Sequence, residues 1–122
     1  MKAVRRRPGD FFGLIIYTML VQKMKQDSKC PSFQNWNMKV VLITDYYPLT
    51  LYFDNGLEFQ KGEIDEPDIK LHFSFYTMVQ IIKGTRGILS AILSGDIRTE
   101  GILQHPIAGY RLYKLMRCII GE

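Results

Sequence analysis

A chain of 122 residues, 47% hydrophobic and 23% charged, has the size and apolar content of one domain with a real core, which excludes disorder over most of its length. The formal charge of +4 belongs to the start of the chain: Lys2, Arg5, Arg6 and Arg7 come before any acid, and beyond residue 7 twelve basic side chains meet twelve acidic ones. A nucleic-acid-binding domain carries its basic excess on the folded body, so nucleic acid is not an expected partner.

Residues 1–9 read as a basic flexible tail ahead of a single domain over residues 10–122. Arg5, Arg6 and Arg7 suit transient contact with an anionic membrane. They precede an apolar run at 11–21, but Pro8, Gly9 and Asp10 intervene, and Gln22-Lys23-Met24-Lys25 offers no cleavage site. An internal helix and a cytoplasmic protein are expected. The C-terminal residues 119–122 match no peroxisomal tripeptide and no lipidation box. Cys30 and Cys118 are far apart and lack metal-ligand spacing, which predicts free thiols in a reducing cytosol, with Cys118 a small core residue.

In chain order, Asp10 is a helix N-cap after two breakers. The helix should run to about residue 29, because the residue before Pro31 avoids the helical region. Thr18, Gln22, Lys25 and Lys29 fall within about 60° on it, leaving a narrow wet stripe. Gly13 lies opposite that stripe, where close packing on another backbone is expected. A polar connector over 31–37 holds Trp36. Segments 38–44, 49–53, 57–61 and 69–75 then carry the Val, Ile, Thr, Tyr and Phe of strands. Asp54-Asn55-Gly56 marks a tight turn. Short sequential connections imply an antiparallel meander. In strand four Ile69, Leu71, Phe73 and Phe75 alternate with Lys70, His72 and Ser74, so one face is buried. Two short helices follow at 76–83 and 87–94, stopped by Gly84 and Gly95. Residues 96–100 form a fifth strand. Pro106 opens a last helix to about residue 120, apolar except for Arg111, Lys114 and Arg117.

The chain holds no convincing catalytic constellation. His72 and His105 lack ligand partners at metal spacing and read as ordinary polar positions. Asp65-Glu66-Pro67-Asp68 reads as a turn, since no calcium-loop spacing surrounds it. Gly84-Thr85-Arg86-Gly87 follows a helix and matches no phosphate loop. Neither a cofactor nor a metal is predicted, and the protein is not expected to be an enzyme. What remains is apolar excess: three helical regions carry more greasy surface than a small sheet can cover. Its outlets are a larger core, an oligomer interface or a ligand cavity. Residues 81–101 and the helix after them read as the wall and lid of an apolar pocket.

One pattern goes further. Pro67-Asp68-Ile69-Lys70-Leu71, then Ile82-Lys83-Gly84, then the run from Ala91 through Gly95-Asp96-Ile97-Arg98-Thr99-Glu100-Gly101, stand in the order and spacing of the sterol carrier protein 2 family, the sterol-binding or lipid-transfer domain. The chain resembles that family over roughly 38–120, with the first helix in its expected place. The resemblance implies an α+β fold, a five-stranded mainly antiparallel sheet with helices packed on one face. It also implies a tunnel between them for an apolar lipid such as a sterol, fatty acyl chain or isoprenoid or quinone precursor, for transfer or for presentation to an enzyme. The matching cavity positions are Phe73, Phe75, Ile88, Ile92, Leu93, Leu112, Leu115 and Met116. The acidic start usual for the helix after strand four is replaced by Ser74-Phe75-Tyr76-Thr77, which leaves that helix start open. The alternative is a protein-protein interaction or homodimerisation module that uses the same apolar helix surface.

Overall fold

A computed structural model describes Val4, residues 7–26, Cys30, Phe33 and residues 35–120. Lys2, Arg5, Arg6, Lys29 and Pro31 of the expectations above lie outside the described residues. Helix α1 (Phe11–Gln26) is followed by β1 (Asn37–Ile43), β2 (Pro48–Asp54), β3 (Leu57–Lys61) and β4 (Ile69–Phe73). Then come α2 (Phe75–Ile82), α3 (Ile88–Leu93), β5 (Ile97–Glu100) and α4 (Pro106–Ile120).

The sheet runs in the order β3-β2-β1-β4-β5. The meander therefore holds only through β3. β4 crosses to the far side of β1 and pairs with it in parallel, Leu42 beside Leu71, while β1–β2, β2–β3 and β4–β5 are antiparallel. The crossing explains the 62–68 linker. It passes behind β2 and β1, where the Thr50 hydroxyl donates to Gly62 O at 2.7 Å and Lys70 pairs with Glu63 at 2.8 Å. Asp68 ends the passage against β1: its Oδ2 accepts from Lys39 N at 2.8 Å, and its own N–H donates to Lys39 O at 2.9 Å. Val41 and Thr50 on that back face are fully buried. The linker is thus tied to the sheet at Thr50 and Lys70 on the rear face and at Lys39 beside β1.

The front face is set by alternation. Met38, Val40 and Leu42, then Leu49, Leu51 and Phe53, then Ile69 and Leu71 are all buried, and the helices lie on that side. Asp10 caps α1, its Oδ2 accepting from Gly13 N at 2.7 Å and from the Tyr47 hydroxyl, which in turn accepts from Phe12 N at 2.6 Å. Burial, and then the bond to Asp10, push the Tyr47 phenol above its ordinary pKa. A Cβ on Gly13 would meet Asp10 Oδ1 at 2.5 Å, so this glycine makes room for the capping carboxylate and not for another backbone. Ser74 caps α2 through Thr77 N at 3.0 Å, which ends β4 at Phe73 and fixes the helix start the sequence left open. α2 and α3 both stop in Schellman turns: Thr85 N donates to Gln80 O and Asp96 N to Ala91 O.

Two sequence expectations fail at the ends of α1. Residues 1–9 do not read as a free tail throughout, since Val4 bridges Leu57 on edge strand β3 and Pro8 is buried. The 31–37 connector is not simply polar: Phe33 is fully buried in an aromatic trio with Trp36 and Phe53, ring centroids 5.1–5.5 Å apart. Nor are the thiols free. Cys30 and Cys118 form a disulfide with Cα atoms 5.4 Å apart, joining the segment after α1 to the last turn of α4. The inference of a reducing compartment rested on unpaired thiols and loses that ground. No helix among the described residues is long and apolar enough to cross a membrane.

The bond closes a separation of 88 residues, long enough for chain entropy alone to favour the folded state by about 4–5 kcal/mol. Reduction should lower the free energy of urea unfolding by about 2–5 kcal/mol. Cys118→Ser should show the same loss and no further response to reductant; two titratable thiols in the native protein would refute the pairing. A second prediction concerns β5. Gly101 and Gly62 both have φ near +100°, at +95° and +110°. A Cβ at Gly101 would lie 2.1 Å from Asp68 O, whereas one at Gly62 meets nothing within 4 Å. Gly101→Ala should therefore cost about 1–3 kcal/mol more than Gly62→Ala in thermal or urea unfolding.

Candidate functional site

Where the four helices converge over the sheet they leave an apolar cavity of about 100 Å³. Its floor is the front face of four strands: Leu42 of β1, Leu51 of β2, Leu71 and Phe73 of β4, and Ile97 of β5. The register explains the floor, because Leu42 lies beside Leu71 and Phe73 beside Ile97. Ile15, Ile16 and Met19 of α1 form one wall. Met78, Ile81 and Ile82 of α2, with Ile88 of α3, form the other. The roof is Leu112, Leu115, Met116 and Ile119, one face of α4 at helical spacing. All sixteen lining side chains are apolar. Ile82 alone among them is a large residue left exposed, and it marks the side nearest solvent.

The cavity wall contains Phe73, Ile88, Leu112, Leu115 and Met116 of the eight positions named from the sequence. Phe75 is not in it. It opens α2 on the outside, stacked on Tyr46 with centroids 4.6 Å apart and near Phe11 at 6.4 Å. The alternation that was to point it inward ends at Ser74. Ile92 packs half-buried against the core without lining the cavity. Leu93 is 87% exposed, because α3 is one short helix that turns Ile88 and Ala91 inward and places Leu93 about 140° round from Ile88. The α1 wall and the β1 and β2 floor were not named from the sequence. The apolar surface of α1 outside its narrow wet stripe was the available signal; the strand contributions depend on a pairing order that sequence does not display.

Charged groups lie around this shell and not in it. His72 Nε2 meets Glu100 Oε2 across β4 and β5, and that contact first of all holds the Glu100 carboxyl below its ordinary pKa. Arg86 reaches back to Ser94 and Asp96, tying the two ends of α3 together, so the glycine-flanked loop is a brace. A more open cleft of about 300 Å³ lies at the start of α4, beside Asp68, Gln104, His105 and Arg111. Its charges are already engaged: Asp68 bonds Lys39 N and stands 3.8 Å from His105 Nδ1, and Arg111 lies over Trp36. No group of three or more His, Cys, Asp or Glu among the described residues could hold a metal.

The two ends of the named set should separate sharply in stability. Leu115→Ala, in the roof, should cost about 2–5 kcal/mol. Leu93→Ala should stay within about 0.5 kcal/mol of wild type. Chemical denaturation of both variants checks the placement; equal losses would contradict it.

The chain matches no protein-family model and no curated protein by sequence. Its fold does match solved structures. Sterol carrier protein domain 2 of Helicoverpa armigera aligns with a TM-score of 0.64 at 17% identity, covering 96% of this chain and 94% of that one. Palmitated sterol carrier protein 2-like 2 from Aedes aegypti aligns at 0.58 and 17% identity, covering 80% and 90%. An inverting sec-alkylsulfatase from Pseudomonas sp. aligns at 0.54 and 17% identity over 77% of this chain, which spans only 13% of that enzyme's length. The mixed five-stranded sheet, the four helices on its front face and the near-complete coverage of lone carrier domains give one conclusion: this chain has the sterol carrier protein 2 fold.

Proposed function

We propose that the domain binds one apolar lipid, a sterol, fatty acyl chain or isoprenoid-type molecule, in the cavity beneath α4 and acts without catalysis, as a carrier or as a presenter to an enzyme. The observation that carries this reading is the lining: every side chain that faces the cavity is apolar, drawn from all four helices and four strands. Such a site recognises exclusion from water and little else.

Size sets a condition. A cavity of about 100 Å³ is smaller than the ~150 Å³ pocket that holds benzene. Association costs roughly 4–15 kcal/mol before any affinity appears. At about 25 cal/mol per Å², a ligand must bury several hundred Å² to overcome that cost. The site therefore has to widen around its guest. Met19, Met78 and Met116 supply the means, being unbranched side chains that re-pack at little cost. The palmitated state of the Aedes aegypti neighbour supports a fatty acyl chain as one guest for this fold.

The competing interface reading is less well supported. Leu112 and Leu115, two of its apolar residues, are only 3% and 2% exposed and face the cavity, so they are not a free surface. Arg7, exposed at the start of the chain, remains available for the transient membrane contact read from Arg5, Arg6 and Arg7.

Protein purified without detergent should yield lipid on solvent extraction and take up a fluorescent fatty acid saturably. Met116→Trp, which replaces an adaptable roof side chain with a rigid one, should weaken uptake by about tenfold or more while leaving the far-ultraviolet circular dichroism unchanged. A wild-type protein with neither extractable lipid nor saturable uptake would defeat the proposal.

A further inference from the structure

The face of α4 that looks away from the cavity has a chemistry of its own. Ile107, Tyr110, Lys114 and Arg117 fall within about 80° of one another at 100° per residue. All four are exposed, Ile107 by 67% and Tyr110 by 64%. Leu103, 93% exposed, stands just before the helix and extends the same end. The stripe is graded: apolar and aromatic at its N-terminal half, cationic at its C-terminal half. Lys114 Nζ sits 5.5 Å from the Tyr110 ring centre and Arg117 lies 5.8 Å from that of Tyr113, so the cations ride on aromatic faces. Residues 101–120 contain no acid. The neighbouring carboxylates are committed elsewhere, Glu100 to His72 and Asp68 to Lys39 N.

We infer that this stripe is a docking surface for an anionic phospholipid bilayer. The charge is complementary to acidic headgroups and has no internal neutraliser on its own helix. Tyrosine belongs at headgroup depth, with one apolar body and one polar tip. Ile107 and Leu103 reach below it, as the greasy side of an interfacial helix does. An acidic protein surface would satisfy the two cations but leave Leu103 and Ile107 without a use. The placement also has a consequence: the helix that roofs the cavity would lie against the membrane, with its inner face over the apolar site and its outer face on the headgroups. The surface differs from the arginine-rich start of the chain, and docking there is independent of whether the cavity takes a lipid.

The test is sedimentation of the full chain with phosphatidylcholine vesicles, with and without phosphatidylserine. Binding is expected only with phosphatidylserine, weakened by salt. Lys114→Glu with Arg117→Glu should reduce partitioning by roughly tenfold or more, and Ile107→Ser with Tyr110→Ser should reduce it at constant charge. Arg5→Gln, Arg6→Gln and Arg7→Gln together should leave the effect of the α4 pairs intact. All altered α4 side chains are exposed, so circular dichroism should be unchanged in every variant. Failure of the wild type to sediment, equal partitioning of the charge-reversed variant, or complete loss on neutralising the N-terminal arginines alone would overturn the proposal. So would light scattering that shows a dimer broken by Ile107→Ser, which would assign the stripe to a second copy of this chain. Fatty-acid uptake is measured in the same variants without vesicles; normal uptake with lost sedimentation separates docking from the cavity reading.

Discussion

The parallel pairing of β1 with β4 is the constraint on which the rest of the molecule depends. Three strands in a simple meander would leave β1 at an edge. Adding β4 on its free side makes β1 central and forces the chain to cross behind the sheet from β3, which it does through residues 62–68. That passage is tied to the rear face at Thr50 and by the Lys70–Glu63 pair. The front face is then free to be apolar throughout, and helices, which pair their own backbone groups internally, can cover it.

Four helices on one small face cannot all lie flat. α1 and α4 pack on each other, and the Cys30–Cys118 bond ties the segment after one to the last turn of the other. α2 and α3, at eight and six residues, are too short to reach across and fill only one side. The cavity lies where these unequal coverings meet. It follows from a mismatch in length between long and short helices over a common floor, and its greasy lining follows from the alternation that built that floor.

This accounts for what was readable in the sequence. Local signals were strong where the chemistry is local: Asp10 as a cap, Asp54-Asn55-Gly56 as a turn with Asn55 at φ +52°, Gly84 and Gly95 as stops, and Pro106 as a start. The α4 roof residues were readable because a helix shows its inner face as a period. Phe75 misled because a period-two pattern carries no mark of where the strand ends; the Ser74 cap marks it, and a serine has many other uses. Leu93 misled because six residues are too few to define a face. Cys30 and Cys118 misled because two cysteines far apart in sequence say nothing of distance in space. Phe33 looked like part of a polar connector because only the fold brings Trp36 and Phe53 to it.

The same asymmetry sets where the site can yield. α4 is held at its far end by Cys118, and its buried face is anchored along α1. At the other side, Ile82, Lys83, Gly84 and Thr85 are exposed, and α3 buries only Ile88 and Ala91, with a surface tie from Arg86 to Asp96 and Ser94, an ion pair of the kind that contributes little in water. A guest too large for about 100 Å³ must displace something, and displacing α3 breaks less packing than lifting α4. On the proposed lipid-binding reading, the α2–α3 side is therefore the natural mouth. On that reading α4 would serve as the fixed wall of an adjustable site, which is also the role a helix needs if its outer face is to rest on a membrane while the inside changes volume.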